Sequence, residues 1–345
     1  MAIQRQFLDI SVGTVLKIAA VVIALSLLYL TREILVILFL AVIIASAVSL
    51  LAGALERYRV PRLIGVLATY LVGVVFFSLV LYLIIPPIVD EIKQLAVVLP
   101  DYYEIAARQI FKTTSGISPD YAKNAQSILL NFGEKIKEFS SGVFNIASAL
   151  FGSAVSFVAI IVISFYLSIQ KKGVEDFLRL IIPQDQEEYV INVWMRVEKK
   201  LGKWLQGQII IALIMGVTVF VGLTLIGVPY ALLLGVVAGM LEIVPIAGPI
   251  LSALVGVSMA VLTSPFLALL TLIFYIIVQQ VENHILVPML MKKATGLNPV
   301  VVIVALLAGA KLGGVLGMLI SVPLATIAGE LLEDFSKKKT LSKNI

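Results

Sequence analysis

The sequence predicts an all-α polytopic membrane protein with about six transmembrane helices, two re-entrant helical hairpins that enter from opposite sides, and an extramembrane helical insertion. The chain of 345 residues is 60% hydrophobic and 14% charged, whereas soluble proteins carry about 25% charged residues. Apolar runs of spanning length, about 20 residues, recur along it. Two further apolar stretches are interrupted by Gly and Pro around one ionisable residue each.

Six apolar runs, which we call S1 to S6, are the predicted transmembrane helices. S1 has no small-residue cleavage site and leads straight into the next run, so we expect a retained helix rather than a signal peptide. Pro86 and Pro87 are expected to end or kink S3, because proline cannot donate a backbone hydrogen bond. The predicted spans are Val12–Leu30, Ile34–Leu55, Leu63–Val89, Val143–Ile169, Ile209–Ile226 and Phe266–Val281.

A polar insertion, residues 90–142, separates S3 from S4. Its apolar residues, among them Leu95 and Leu99 and later Phe132 and Ile136, recur at the spacing of one helix face. The stretch 113–119 between them is rich in Thr, Ser, Gly and Pro, which is typical of a turn. The pattern predicts an amphipathic helical hairpin outside the bilayer.

The segment between S4 and S5 carries a basic amphipathic pattern. Its apolar residues recur every three or four positions, at Tyr189, Val193, Val197, Leu201 and Trp204. A helix of this kind can lie along the lipid interface, where Trp194 and Trp204 would occupy the headgroup region. It can also pack on the cytoplasmic face of the protein itself, and the two interpretations do not exclude each other.

The distribution of Lys and Arg predicts the orientation, because short cytoplasmic loops are enriched in them. With both termini inside, 18 basic residues face the cytoplasm and seven face outward, where eight acidic residues balance them; Lys311 is not counted. This division requires that each broken apolar stretch returns to the side on which it starts. The charges therefore support re-entrance and predict cytoplasmic N- and C-termini.

The two broken stretches begin at Pro229 and Pro299, and a shift of 70 residues superposes these prolines and also Gly239 on Gly309. Irregular backbone at membrane depth is tolerated only where protein covers it or where it lines a watery cavity. The first hairpin would enter from outside and the second from inside. Paired inverted elements with broken helices are the architecture of many secondary transporters, so we expect a transport site between the hairpins.

These elements divide the chain into five units. The transport core holds S5, both hairpins and S6, and we place the site there. The units are residues 1–89 with S1 to S3, residues 90–142 with the extracytoplasmic insertion, residues 143–208 with S4 and the amphipathic helix, residues 209–335 with the transport core, and residues 336–345 with a basic cytoplasmic tail.

Glu242 is the strongest candidate for a coupling residue. It lies at the centre of the first hairpin, where a charged side chain costs at least about 2.5–3.5 kcal/mol. The carboxyl group should therefore be paired, protonated or facing water, which suits coupling to H+ or Na+. The structural alternative is a carboxylate that caps the helix after Pro245. Pro245, Gly248 and Pro249 complete the predicted hairpin tip.

Lys311 occupies the matching break of the second hairpin, between Gly309 and Gly313. It could pair with Glu242, bind an anionic substrate or extend its ammonium group to the interface. Gly-x-x-x-Gly spacings at 235/239, 309/313 and 313/317 allow close helix packing. We expect them to pack the hairpin arms against neighbouring helices.

A polar cluster ends S6 on its inner side. Its members share helix faces by their spacing of three and four residues and precede Pro288: Gln279, Gln280, Glu282, Asn283 and His284. We expect the first four to line an inner vestibule, and the alternative is a helix end that reaches the headgroups. His284, the sole histidine, could also sense pH.

The absence of several sequence motifs limits the chemistry that the protein could perform. The chain has no Cys, which excludes a disulfide framework, a Cys-ligated zinc site and thiol catalysis. It has no P-loop, G-x-S-x-G or H-E-x-x-H motif, so we expect neither an enzyme nor a cofactor. No metal site is predicted apart from Na+ at Glu242. The basic residues cluster at helix ends, so the expected partners are lipid and a small solute or cation, not nucleic acid.

Five motifs in the C-terminal part resemble the autoinducer-2 exporter superfamily of bacterial and archaeal inner-membrane permeases. They are Leu225-Ile-Gly-Val-Pro-Tyr-Ala-Leu-Leu-Leu-Gly, Leu241-Glu-Ile-Val-Pro-Ile-Ala-Gly-Pro, Gln279-Gln-Val-Glu-Asn-His-Ile-Leu-Val-Pro, Gly296-Leu-Asn-Pro and Gly314-Val-Leu-Gly-Met-Leu-Ile-Ser-Val-Pro. The resemblance covers roughly residues 201–332, and the N-terminal half matches only in hydropathy and in the position of the insertion. Ile246 departs from the pattern, since an aromatic residue is more frequent there.

The resemblance implies a secondary transporter that exports a small hydrophilic solute, or exchanges a monovalent cation such as Na+ or Li+ for protons. It also implies a homo-oligomer. Two alternatives from other classes stay open: a passive oligomeric channel with the hairpins as its filter, and a non-transporting scaffold that binds an envelope partner through the insertion. Saturable, gradient-coupled flux would distinguish the transporter from both.

Overall fold

The computed structural model describes residues 12–76, 78–80, 82–83, 85–87, 90–91, 154–291 and 294–343. The predicted insertion after residue 91, and S4 before residue 154, lie outside these residues. The helices are α1 (Val12–Leu30), α2 (Arg32–Glu56), α3 (Arg62–Pro87), α4 (Ala154–Ile169), α5 (Gly173–Ile181), α6 (Gln184–Ile226), α7 (Ala231–Leu241), α8 (Ala247–Thr263), α9 (Pro265–Val281), a π-helical turn (Glu282–Leu286), α10 (Val287–Leu290) and α11 (Pro299–Lys343).

Long apolar helices dominate the architecture. Within the described residues, six are long and apolar enough to cross a membrane, or seven if α4 and α5 count as one bent span. The six are α1, α2, α3, α6, the unit of α9 with the π-helical turn and α10, and α11 to residue 334. The last of these meets the test by total length and composition only, because its helix is broken at Gly313 and Gly314. The prediction of an all-α polytopic membrane protein is confirmed, and α1 coincides with S1.

Residues 184–226 form one continuous helix, α6, where the sequence analysis separates an amphipathic segment from S5. No proline interrupts this stretch, and at about 1.5 Å per residue its 43 residues extend for about 65 Å. That is about twice the hydrocarbon thickness of a bilayer, roughly 30 Å. The N-terminal half of α6 therefore continues the transmembrane half beyond the membrane. Gly227, in the left-handed conformation with φ 86°, ends the helix.

The apolar face of the amphipathic half of α6 packs on the protein itself. Its residues Val197 and Leu201 are buried and Trp204 is only 3% exposed. They share one apolar cluster with Leu306 and Val322 of α11. This packing supports the second interpretation of the stretch, in which the helix lies on the protein itself. A position of the same helix along the lipid interface stays a prediction. Basic residues on another face pair with the end of α11, Arg196 with Glu330 and Asp334, and Lys200 with Glu330.

The helix with interfacial character is α5, which the sequence analysis did not single out. It is bent by 86° from the membrane span α4. Its apolar side chains Phe177, Leu180 and Ile181 are 59%, 86% and 62% exposed, while Glu175 and Arg179 lie among them in the sequence. An amphipathic helix across the direction of a span, with an uncovered apolar face, fits a position in the headgroup region.

The first hairpin consists of α7, a turn and α8, and it packs closely on α6. A methyl group at Gly235 would lie 2.8 Å from the Gly216 carbonyl oxygen, and one at Gly239 would lie 3.0 Å from the Ala212 carbonyl oxygen. Backbone approach of this kind requires glycine, because no side chain can move aside. The predicted packing role of the 235/239 spacing is confirmed.

The second hairpin lies within α11, which is interrupted at Gly313 and Gly314 (φ 59°, ψ −137°). Gly309 and Gly317 touch across this break, because a methyl group at Gly317 would lie 2.9 Å from the Gly309 carbonyl carbon. Eight residues of straight helix would separate them by about 12 Å, so the chain reverses here. The glycines thus pack the two arms on each other rather than on a neighbouring helix, and Gly313 meets no atom within 4 Å.

Gly317→Ala is expected to destabilise the second hairpin by about 1–3 kcal/mol, as overpacking does. The added methyl group would meet backbone atoms of Gly309, which cannot rotate away. Gly313→Ala is the matched control from the same turn, where a methyl group meets open space. Thermal unfolding of both variants in detergent measures the difference. Equal stability of the two variants would contradict the antiparallel contact.

The two hairpins meet through the tip of the first. Val244, in the turn between α7 and α8, belongs to the same buried cluster as Leu306 on one arm of the second hairpin and Val322 on the other. Ile43 of α2 and Trp204 of α6 belong to the same cluster. The tip of the first hairpin therefore packs in one apolar cluster with both arms of the second.

Candidate functional site

The turn that joins α7 to α8 is tight and strained. Ile246 has φ 68° and ψ −53°, and the Ala247 N–H donates to the Pro245 carbonyl at 2.7 Å, which together define a γ-turn of the rare positive-φ type. A β-branched residue is a genuine outlier in this region. Strain of this kind costs on the order of 1–3 kcal/mol and clusters at functional sites.

Glu242 begins this turn and is 2% exposed. Its backbone carbonyl accepts a hydrogen bond from the side chain of Gln208 on α6, itself 2% exposed. The cap that the structural alternative assigns to Glu242 is not formed, because the first N–H groups of α8 donate to backbone carbonyls of Pro245 and Val244. Its carboxyl group is therefore left for another partner.

That partner is Glu282, whose carboxyl group lies within hydrogen-bonding reach of the Glu242 carboxyl. Glu282 is 4% exposed and accepts a hydrogen bond from the Gln279 amide at 3.0 Å. The sequence analysis assigns Glu282 to an inner vestibule and offers Lys311 as a partner for Glu242. The structure buries Glu282 beside the hairpin tip, and the ion pairs of the described residues include none between Lys311 and Glu242. An inner vestibule lined by the S6 cluster stays a prediction, as do the other two roles of Lys311.

Helix lengths explain why Glu242 and Glu282 meet. Helices α8 and α9 contain 17 residues each and turn back on each other at Ser264. The Ser264 hydroxyl accepts from the Leu267 N–H and Pro265 opens α9, which is a strong N-terminal signal. Two arms of equal length bring their far ends together. The turn before α8 thereby faces the residue after α9.

The π-helical turn at Glu282 has an identifiable cause. Pro288 lacks the N–H that would bond to the His284 carbonyl, and its ring crowds that carbonyl. The backbone widens here, so that the Val287 N–H donates to the Glu282 carbonyl five residues earlier. Such π-turns occur frequently at functional sites. Here the turn directly follows the polar side chains of α9.

The arrangement can hold a proton. Ionised carboxylates only accept hydrogen bonds, so two carboxyl groups can bond to each other only when at least one is protonated. Two buried negative charges side by side would also repel each other strongly. The pair can therefore release or take up one proton when its surroundings change.

A small cavity of roughly the size of one water molecule adjoins the pair. It lies between α6, the first hairpin and α9. The polar side chains among its lining residues are Glu242, Ser252, Tyr275 and Gln279. Ser252 and Tyr275 were not among the residues that the sequence singled out, although Thr271, Tyr275 and Gln279 recur every four residues on one face of S6. That spacing is the signal that could have found them.

The other predicted site residues are distributed around this centre. Gly248 and Pro249 are buried at the hairpin tip and Pro245 is half-buried. Asn283 accepts a hydrogen bond from Gln279 at 3.4 Å. Gln280, Lys311 and Gly313 are exposed, and Gly309 packs on Gly317 within the second hairpin. His284 Nδ1 is 2.9 Å from the Gln280 carbonyl oxygen. Within the described residues, no group of three or more Asp, Glu or His residues could hold a metal ion.

Comparison with known proteins agrees with this architecture. A family model described as the AI-2E family transporter matches residues 18–337. The candidate transport protein YueF of Bacillus subtilis strain 168 is 28% identical over 288 residues, 78% of this chain and 75% of YueF. The candidate transport protein sll0060 of Synechocystis is 26% identical over 303 residues, 85% of this chain and 87% of the relative.

A third relative, the candidate permease PerM of Escherichia coli K12, is 24% identical over 255 residues, 72% of this chain and 68% of PerM. The family match extends through the N-terminal half, where the sequence analysis found agreement only in hydropathy. The resemblance inferred from the five C-terminal motifs is confirmed, and the chain belongs to the AI-2E family of transporters, a family of multi-pass membrane permeases.

Proposed function

We propose that this protein is a secondary transporter in which the Glu242–Glu282 pair is the coupling site. It would export a small hydrophilic solute of the autoinducer-2 type, or exchange a monovalent cation such as Na+ or Li+ for protons. The observation that carries the proposal is the burial of two carboxyl groups in contact, one on a hairpin tip and one on a helix that widens at that point.

The two carboxyl groups lie on elements that can move relative to each other. Glu242 belongs to a strained turn, and Glu282 belongs to a π-helical turn. Displacing the tip would separate the carboxyl groups and expose them to water, and the site would then lose its proton and could bind a cation or release the solute. Closure would restore the shared proton. This exchange couples a protonation change to a conformational change, which is what antiport requires.

The hairpins are proposed to be re-entrant, with the first entering from outside and the second from the cytoplasm. The lengths of the first-hairpin helices support this arrangement. Helix α7 has 11 residues, or about 16 Å, which is roughly half of a hydrocarbon core of about 30 Å. The balance of basic residues supports cytoplasmic termini. A homo-oligomer belongs to the proposal because none of the residues of Gly13–Leu30 whose burial is described is buried, which leaves α1 available to lipid or to a second copy.

Purified protein in proteoliposomes tests the proposal with outward or inward gradients of Na+, Li+ and H+, and with an isotope-labelled autoinducer-2-type solute. We expect saturable flux of one substrate that rises with the imposed gradient and moves protons in the opposite direction. Protein-free liposomes are the control. Single-channel currents would show the passive channel instead, and the absence of flux with every gradient would favour the non-transporting scaffold.

A further inference from the structure

Three buried hydroxyl groups belong to α8 and α9: Ser252 meets Tyr275 across the interface, and Thr271 shares the face of Tyr275 by its spacing of four residues. Ser252 is 3% exposed, Tyr275 7% and Thr271 0%. Ser252 Oγ and Tyr275 Oη are 3.4 Å apart. Gly256 makes room for the tyrosine, since a methyl group there would lie 2.5 Å from Tyr275 Oη. The interface between these two apolar helices is therefore polar along one line.

These hydroxyl groups are not bonded to their own helices. Buried Ser and Thr residues in helices commonly donate to the carbonyl four residues earlier, as Ser258 does to Leu254 and Thr326 does to Val322. Ser252 faces the Tyr275 hydroxyl instead. Thr271 Oγ1 is buried and has no hydrogen-bond partner among the described residues. An unsatisfied buried hydroxyl is costly, and such a group calls for an explanation such as a water molecule.

The hydroxyl groups extend from the carboxyl pair toward the turn at Ser264. Glu242, Ser252 and Tyr275 line the same water-sized cavity. Thr271 lies one helical turn beyond Tyr275, about 16 Å along α9 from Glu282 and about 9 Å from Pro265. They therefore cover much of the distance between the buried pair and the end of the first hairpin.

We propose that the α8–α9 interface is a proton path that joins the Glu242–Glu282 pair to the membrane face at which Ser264 lies, and that the transported solute does not use it. This inference rests on the proposed function. Each hydroxyl accepts a proton on a lone pair and releases its own proton to the next group, so the side chains are unchanged after each passage. Water molecules form the hydrogen bonds between successive hydroxyl groups that are too far apart to bond directly. The cavity is too small for a solute.

Removal of single hydroxyl groups tests the path. Tyr275→Phe and Thr271→Val are expected to slow proton movement in proteoliposomes about tenfold each, the effect of about one hydrogen bond. The matched controls are Tyr70→Phe, which removes a hydroxyl bonded to Ser164 at 2.7 Å, and Thr326→Val. Rates come from a pH-sensitive dye inside the vesicles. Wild-type rates in both test variants, beside an active wild-type protein, would overturn the path and leave the proposed function intact.

Accessibility of single cysteines provides a readout that does not depend on transport. The chain has no cysteine, so Ser252→Cys and Thr271→Cys can be probed one at a time, with Ser258→Cys as the control. Cells that produce each variant are treated with Ag+ or with a bulky cationic methanethiosulfonate. The protein is then denatured, and the thiols that did not react are counted with a fluorescent maleimide. We expect Ag+ to protect positions 252 and 271 and the bulky reagent not to protect them.

Two outcomes of the labelling would overturn the proton path. Failure of Ag+ to reach either position shows that no water enters the interface. Protection by the bulky reagent shows a route of solute size. If wild-type protein moves no protons, the proposed function fails, and the labelling still decides whether the hydroxyl groups line a water path.

Discussion

Glu242→Gln is expected to reduce gradient-driven flux to the level of protein-free liposomes while the protein stays folded. The glutamine amide can donate a hydrogen bond to the Glu282 carboxylate, so the buried contact keeps a donor and an acceptor. The exchangeable proton is lost, and with it the change of charge on which coupling depends. Stability should remain equal or rise, because a buried ionisable group has been replaced by a neutral one of similar shape.

The same measurement on Glu282→Gln and on the double variant tests whether the two residues act as a unit. We expect each single variant to be as inactive as the double variant, because groups that share one function are not additive. Glu198→Gln is the matched control, since Glu198 is half-buried on α6 and lines a different cavity, with Gln170 and Glu175. If the Glu242→Gln variant shows full coupled flux, Glu242 is not the coupling residue, although the protein would still be a transporter.

Gly248→Ala is expected to abolish flux and also to destabilise the protein, by about 1–3 kcal/mol or more. A methyl group at Gly248 would lie 2.5 Å from the Leu241 carbonyl carbon and 2.9 Å from the Glu242 backbone nitrogen. These are backbone atoms on the opposite arm of the turn. The turn would have to open to admit the methyl group, and Glu242 would move away from Glu282.

Stability separates this variant from Glu242→Gln, because only Gly248→Ala should lower the unfolding temperature in detergent. Gly53→Ala in α2 is the control: a methyl group there meets nothing within 4 Å, and replacing a helical glycine by alanine stabilises by about 1 kcal/mol. A Gly248→Ala protein with wild-type stability and flux would mean that the two arms do not approach each other as closely as the structure shows.

Much of the architecture follows from local sequence. Val12–Leu30 is long and apolar enough to be predicted as a membrane-spanning helix from composition alone. The helices break where Gly and Pro interrupt apolar runs, at 242–246 and at 313–314. Glu242 could be chosen as the candidate site residue from the same pattern, because an acidic side chain in a break of an apolar run is expected to be buried. Trp204 could not be assigned, because an amphipathic pattern looks the same whether lipid or protein covers the apolar face.

The partner of Glu242 could not be read from the sequence either. Lys311 has the complementary charge and lies within one position of Glu242 in the repeat, yet the carboxyl group of Glu282 lies beside that of Glu242. Ser252, Thr271 and Tyr275 are single polar residues within apolar runs, and only the contact of α8 with α9 brings them onto one line with the carboxyl pair.

The sequence by itself determined which segments are apolar helices, where they break and which acid lies in a break, because hydropathy, glycine and proline act within a few residues. Only the tertiary structure decided which face of α6 is covered and which group meets Glu242. Those contacts depend on the lengths and packing of helices that are far apart in the chain, and no local pattern encodes them.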